Sequence, residues 1–419
     1  MDYNKSYLEK VSLSGYRSIS NIDVFFQKNL NIVIGKNAVG KTNFLNFLNS
    51  ILSFKFNNFN NFSTEIILKK EDSKNEYKLF FSKKTKLNTL DSISLQLAPT
   101  LFRSSFIGNL NIVGPEIKER NYEIGKEEEL NLLREILIDE NIFITSTFIK
   151  HGLPKQYPII DEPLNIELLN KGISEEFIRS IIDSDSKSSF FTKIINLLIT
   201  RDLIDLKFFN KKLKTEKSIS KFIEDKKADY KNEILKKSSF LKDLKKTLKE
   251  YSPIEDIRIN ENFLIEIDNT NEKVNLKNFY IEFYVDKKWY TFNDLSDGTK
   301  RIFYIISEIF TLENESIFKV GLNIVMIEEP ELGIHPHQLY QLMRFVKEKS
   351  KNTQFIITTH SPLSLDILEK NELDSIIIAK KNNGNTELVC LSEEKIEKAR
   401  AYMDELNLSD FWLNSDLED

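Results

Sequence analysis

Residues 35–42 read Gly-Lys-Asn-Ala-Val-Gly-Lys-Thr, and no other stretch limits the possible folds so strongly. The spacing is G-x-x-x-x-G-K-[ST], in which glycines let successive backbone N–H groups converge on phosphate oxygens. A short apolar strand, Asn31-Ile32-Val33-Ile34, runs into the loop. An apolar helix bearing Phe44, Leu45, Phe47, Leu48, Ile51 and Leu52 leaves it. Such a helix points the positive end of its dipole at a bound anion. Only 12 glycines occur in 419 residues, which makes a chance match to this pattern rare. On this reading Gly35, Asn37, Ala38, Val39, Gly40 and Asn43 surround the nucleotide phosphates. Lys41 reaches the β- and γ-phosphates, and the Thr42 hydroxyl ligates Mg²⁺.

A phosphate loop of this kind needs an acidic partner at the end of a neighbouring strand. Ile324-Val325-Met326-Ile327-Glu328-Glu329 supplies four apolar strand residues followed by two carboxylates. Glu328 is expected to hold the Mg²⁺ through water, and Glu329 to polarise the water that attacks the γ-phosphate. Residues 295–301, Leu-Ser-Asp-Gly-Thr-Lys-Arg, precede a long apolar helix. They read as a second anion-binding helix start, with a hydroxyl at Ser296, Asp297 beside it, and Gly298 allowing close backbone approach. Phe355-Ile356-Ile357-Thr358-Thr359-His360-Ser361-Pro362 is a buried strand ending in a histidine placed to sense the γ-phosphate.

The pattern along the chain places these motifs in an α/β fold. Period-two segments at residues 8–14 and 22–26 precede the phosphate loop, and another run at 64–97 suggests an antiparallel sheet. From residue 257 strands and helices alternate: a helix from Thr299, strands at 323–327 and 354–358, a helix from His337, a further helix after residue 358, then strands near Ile376 and Leu388. Between them, 116–250 reads as a helical insertion. The expected division is therefore 1–115, 116–250 and 251–419. Residues 211–250 hold fourteen lysines against seven acids, which fits either a solvated helix face or a nucleic-acid contact.

Composition excludes several classes. A hydrophobic fraction of 41% rules out wholesale disorder, and a net charge of −5 rules out a uniformly basic nucleic-acid binder. The single cysteine, Cys390, removes disulfide frameworks and cysteine-based zinc sites and fits a reducing compartment. His335 and His337 lack a third ligand at metal spacing. No run approaches the roughly 18 to 20 apolar residues of a membrane span, so a cytoplasmic protein with no membrane contact is expected.

The four motifs in this order resemble the ABC-type, AAA-like ATPase heads of the RecF, SMC and OLD kin. The segment after Glu328, Glu329-Pro330-Glu331-Leu332-Gly333-Ile334-His335-Pro336, is most similar to stand-alone bacterial ATPases of anti-phage systems such as the Septu and PARIS types. The opening Ser14-Gly15-Tyr16-Arg17-Ser18-Ile19 is similar to the Phe-Arg-Ser strand that enters such heads. The resemblance implies a P-loop NTPase head in two parts, 1–115 and 251–419, with ATP and Mg²⁺ as its ligands. It implies a dimer or higher oligomer in which Ser296, Asp297 and Gly298 of one copy complete the site of another. It further implies a separate nuclease or toxin effector, no nuclease domain of its own, and a possible DNA partner. A RecF-like repair ATPase and an ATP-gated scaffold with little turnover are the alternatives. Glu328 stands where the family more often has Asp. Gln156 is the single glutamine between Leu97 and Glu250, with no motif around it, so the position of the Q-loop is left open.

Overall fold

The computed structural model describes residues 6–53, 62–70, 76–83, 108–113, 120–124, 144–151, 166–169, 239–268, 273–277, 280–314 and 322–414. The chain forms two compact units. The first comprises Met1–His151, Asn314–Leu332 and Met343–Asp419; the second comprises Gly152–Glu313 and Gly333–Leu342.

The first unit is organised by a mixed sheet of twelve strands. Its parallel part takes β3 (Leu30–Ile34), β8 (Ile144–Ile149), β15 (Leu322–Glu328), β16 (Gln354–Thr359) and β17 (Ile376–Asn382) in the spatial order β17-β3-β16-β15-β8. β3, β15 and β16 are buried along almost their whole length, as parallel strands covered on both faces must be; every residue of β3 and of β16 is buried. The antiparallel part has β1 (Ser6–Tyr16), β2 (Ile19–Phe25), β4 (Phe62–Lys70), β5 (Glu76–Lys83), β6 (Gly108–Val113) and β7 (Arg120–Ile124), while β18 (Asn385–Cys390) closes the far edge against β17.

Helix α1 (Lys41–Leu52) fixes the core. Its apolar residues fall at positions 44, 45, 47, 48, 51 and 52, the i, i+3, i+4 spacing of one helical face, and all six are buried. Phe47 meets Tyr16 at 5.4 Å and Phe62 at 6.4 Å between ring centroids, and Phe44 stacks on Phe26 at 6.2 Å. Each such side chain contributes about 1.5–3 kcal/mol. The helix that carries the phosphate loop is thereby held to the sheet by its own hydrophobic face.

Polar groups inside this sheet answer backbone needs. The pairing of β1 with β4 slips between Leu8 and Lys10. Gln354 lies beside that irregularity, accepting from Leu8 N at 2.8 Å and donating to the carbonyls of Leu8 and Gln27, each at 2.8 Å. Asn31 similarly bonds the backbone of Gln27 and Phe355.

The second unit contains α2 (Ser239–Tyr251), the antiparallel sheet β10 (Asp256–Ile259), β13 (Ile281–Val285) and β14 (Lys288–Tyr290), and helix α3 (Asp297–Asn314). Phe283, Phe292 and Phe303 form its aromatic centre, with centroids 4.8–5.9 Å apart. A second antiparallel sheet joins β9 (Ile166–Leu169), β11 (Leu264–Asp268) and β12 (Lys273–Lys277). The remaining helices among the described residues are α4 (Pro336–Ser350), α5 (Glu393–Tyr402) and α6 (Leu408–Asn414).

Two expectations need correction. The segment 116–250, read as helical, contributes strands β7, β8 and β9 as well as α2. After β16 the expected helix is replaced by two short 3-10 turns, Pro362–Leu365 and Leu373–Ser375. Asp366 ends the first of them, its carboxylate accepting from the N–H and the hydroxyl of Ser409, both at 2.8 Å. Gln156, residues 84–97 and most of the lysine-rich stretch lie outside the described residues.

Candidate functional site

β3, β16, β15 and β8 are parallel neighbours, so their carboxyl ends lie along one edge of the sheet, where ligands of open parallel sheets bind. Each end delivers a polar group. β3 leads into the 35–42 loop, β15 into Glu328 and Glu329, β16 into His360, and β8 into His151.

The loop's shape follows from its sequence. Ala38 at φ 63° and Gly40 at φ 107° turn the backbone through left-handed conformations just before α1, the geometry that gathers N–H groups into a concave anion seat. Gly35 and Gly40 are dictated by neighbours: a Cβ on Gly35 would lie 2.1 Å from the Ala379 carbonyl oxygen, and one on Gly40 would lie 2.1 Å from Thr386 Oγ1. Lys41 is only 4% exposed, and its ammonium donates to the carbonyls of Gly35 at 2.6 Å and Lys36 at 2.8 Å. Those carbonyls hold the cation inside the loop. Asn37 is exposed, whereas Val39 packs into the hydrophobic core, so only its backbone faces a ligand.

Asn43 is joined to a polar chain. Its amide donates to Ser18 Oγ at 2.9 Å and accepts from Arg17 at 3.0 Å, and Ser18 Oγ lies 2.8 Å from Thr386 Oγ1. Arg17 and Ser18, noted in the sequence only as part of an entering strand, are thus brought to the start of α1.

Glu328 is 2% exposed at the end of β15. Burial pushes its carboxyl up, but hydrogen bonds from the Thr42 hydroxyl and from His151 outweigh burial and hold it below the ordinary glutamate range. His151 supplies its backbone N–H at 3.3 Å and ring Nδ1 at 2.8 Å, both to Oε2. Sequence reasoning missed His151, because its place depends on β8 pairing with β15 across 177 residues. The available signal was slight: a histidine two residues after Ile149, in a chain with four histidines.

Glu329 sits at φ 45°, a conformation that costs a non-glycine residue on the order of 1–3 kcal/mol. Its N–H donates to the Thr358 carbonyl at 2.8 Å, which helps hold the turn. The Glu329 carboxylate is partly exposed and lies 3.8 Å from His360 Nδ1. The third acid of this turn, Glu331, is buried against Thr359 and His360.

Thr42 and Glu328 offer a hydroxyl and a carboxylate in mutual contact, both hard oxygen ligands suited to Mg²⁺. With an anion seat and a lysine beside them, the residues fit a metal-bound triphosphate. The geometry can hold phosphate, bind a cation, and present an exposed carboxylate and an imidazole. Among the described residues no three His, Cys, Asp or Glu side chains gather as a metal-holding group, at His335 and His337 or elsewhere.

Ser296, Asp297 and Gly298 belong to the second unit. Ser296 caps α3, with its Oγ accepting from Thr299 N at 3.2 Å and lying 2.9 Å from Thr299 Oγ1; Asp297 is exposed. The close approach that requires Gly298 comes from the Gly333 carbonyl, 2.4 Å from where a Cβ would stand. Cys390 lies on β18, partly buried, with Sγ 3.8 Å from the Phe25 carbonyl; burial pushes its thiol up. Among the described residues no helix is long and apolar enough to cross a membrane.

A family model described as "AAA domain, putative AbiEii toxin, Type IV TA system" matches residues 30–366. The DNA replication and repair protein RecF of Ligilactobacillus salivarius is 25% identical over 202 residues, covering 40% of this chain and 49% of that protein. The Retron Ec83 probable ATPase of Escherichia coli is 38% identical over 73 residues, 16% of this chain and 14% of that protein. The matched regions thus span about half or less of these relatives. Among solved structures, the Smc head domain of Pyrococcus furiosus, determined with the C-terminal domain of ScpA, aligns over 96% of this chain and 100% of that one, at 16% identity and a TM-score of 0.47.

Proposed function

Because the chain belongs to this AAA-domain family, we propose that it binds ATP with Mg²⁺ and hydrolyses it as a nucleotide-gated switch. The observation that carries the reading is the convergence of the phosphate loop, Glu328 with Thr42, and Glu329 with His360 on adjacent parallel strand ends. Lys41 exchanges the carbonyls of Gly35 and Lys36 for phosphate oxygens, trading neutral acceptors for a charged one. Thr42 and Glu328 would hold Mg²⁺, which when bound neutralises phosphate charge. Glu329 accepts the proton of the attacking water, the task for which a partly exposed carboxylate at the strand end is suited. His360 turns its ring toward the terminal phosphate.

In the fuller form of this proposal, Ser296, Asp297 and Gly298 of one copy face the phosphates of another, so that ATP closes a dimer and hydrolysis opens it. The family description names a toxin–antitoxin setting, which supports a role as the ATPase subunit of an anti-phage defence system controlling a separate nuclease or toxin. The test is sedimentation of the full chain with Mg²⁺ and a non-hydrolysable ATP analogue: a shift to dimer or higher oligomer supports the gated switch, and an unchanged monomer contradicts it. The second reading, a DNA-repair ATPase, is favoured by the RecF similarity. Stimulation of phosphate release by duplex DNA would select it.

A further inference from the structure

Glu331 is a buried acid that the chemistry proposed above does not use. Its side chain is 7% exposed in the turn that follows β15. One oxygen, Oε1, accepts from the Thr359 hydroxyl at 2.7 Å and the His360 backbone N–H at 2.8 Å, and lies at an ion-pair distance of 3.0 Å from His360 Nδ1. Oε2 is buried with no hydrogen-bond partner among the described residues. All of this carboxylate's hydrogen bonds thus converge on the end of β16. Thr359 Oγ1 also lies 3.3 Å from Ser364 Oγ, tying the arrangement to the following 3-10 turn.

The consequence falls on the imidazole. A carboxylate oxygen accepts hydrogen bonds and has none to give, so at 3.0 Å it attracts a protonated Nδ1 and repels a bare one. That leaves Nε2 as the ring nitrogen free to face a ligand. Because the same oxygen binds the His360 main chain and lies against its ring, it biases the direction of the ring as well as its tautomer. A carboxylate that served only to satisfy the buried turn would need the N–H and the hydroxyl, not the ring. The neighbouring Glu329 is 3.8 Å from Nδ1, beyond a hydrogen bond, and remains available for water.

We propose that Glu331 is a positioning residue for His360, holding the imidazole with Nδ1–H toward Glu331 and Nε2, as an acceptor, turned toward the nucleotide side of the site. The proposal rests on the ATPase reading only for what Nε2 faces; the tautomer and the ring direction stand without it.

The test combines a spectroscopic and a kinetic measurement on the full chain. Ring ¹⁵N NMR without nucleotide reads the histidine tautomers, and His360→Gln assigns the His360 signals among the four histidines. His360 should show a protonated Nδ1 in the wild type. In Glu331→Leu, which removes the acceptor, it should revert toward the Nε2–H form. Glu331→Leu should lower kcat by roughly ten- to a hundredfold, taking as a guide the cost of removing the carboxylate that orients a metal-bound histidine, with KM for ATP changed by less than about twofold. Glu331→Gln, which keeps an acceptor oxygen, should recover most of that loss. On a His360→Gln background either change should cost less than about threefold more, since both act through one ring. Full additivity, or an unprotonated Nδ1 in the wild type, overturns the proposal. If Glu331→Leu does not fold, the wild-type spectrum and the Glu331→Gln cycle decide it. If His360→Gln leaves turnover unchanged, the ATPase role of His360 fails while the ring spectrum still judges the positioning.

Discussion

Replacing Gly35 with alanine is expected to damage the fold through one identifiable contact. A Cβ at this position would lie 2.1 Å from the Ala379 carbonyl oxygen, and real Cβ atoms essentially never approach closer than 3.0 Å, so the two must separate by about 0.9 Å. The oxygen belongs to β17, which pairs with β3 on one side and β18 on the other. No side-chain rotation can relieve the clash, and the strand itself must move. Overpacking of a tight interior costs typically 1–3 kcal/mol; with backbone on both sides, about 3 kcal/mol is expected. Gly40→Ala is the control. Its Cβ would meet Thr386 Oγ1 at 2.1 Å and Cγ2 at 2.8 Å, and φ 107° adds backbone strain of about 1–3 kcal/mol. Thr386→Ala removes both of those side-chain atoms, so it should recover about 1–2 kcal/mol in Gly40→Ala and nothing in Gly35→Ala. Urea unfolding of the three single variants, the two double variants and the wild type, followed by fluorescence of the buried Trp412, gives both coupling energies. A Gly35→Ala protein within about 0.5 kcal/mol of wild type, or one rescued by Thr386→Ala, refutes the reasoning.

Lys41→Ala should abolish stabilisation by ATP and Mg²⁺ in a thermal melt while leaving the unliganded protein folded, since α1 is held by its apolar face; retained ATP stabilisation counts against the loop assignment. Ser296→Arg should bind ATP yet fail to hydrolyse it, and mixing it with Lys41→Ala should restore partial turnover if the site is shared between copies; no rescue alongside an active monomeric wild type goes against sharing. The Glu328 carboxyl is depressed in the fold, so its contribution is present above the ordinary glutamate range and is lost as pH falls through the folded value. His151→Ala removes the ring donor to this carboxylate, leaving the backbone N–H, and should move the acid loss of stability to higher pH; identical acid melts for variant and wild type would remove the His151 ring from the site.

The phosphate loop, Glu328 with Glu329, and His360 were legible because each is a short local pattern at the end of an apolar strand. Parallel pairing then brings those ends together without further instruction. What depended on distant partners was not legible. β8 is a six-residue strand in a stretch whose apolar spacing read as helical, and only its pairing with β15 brings His151 to Glu328. Gly298 was noticed for closeness to a phosphate, yet the group that crowds it is the Gly333 carbonyl. In place of the helix expected after β16 the chain makes 3-10 turns, and the Asp366 carboxylate at the end of the first binds Ser409, forty-three residues away, a contact that no local pattern announces. Glu331 was visible as a letter in a motif, but its hold on the His360 ring is a property of two loops in space.

Steady-state phosphate release from ATP by the wild type and by Glu329→Gln, each with its ATP-induced thermal shift, tests the central claim most directly. The amide keeps the shape of the carboxylate and cannot take a proton, and base catalysis typically supplies about 10²- to 10⁴-fold. The expected result is Mg²⁺-dependent release by the wild type, a loss in that range in Glu329→Gln, and ATP stabilisation in both proteins. Release by Glu329→Gln at the wild-type rate, or a wild-type protein that binds ATP and releases no phosphate, would contradict it.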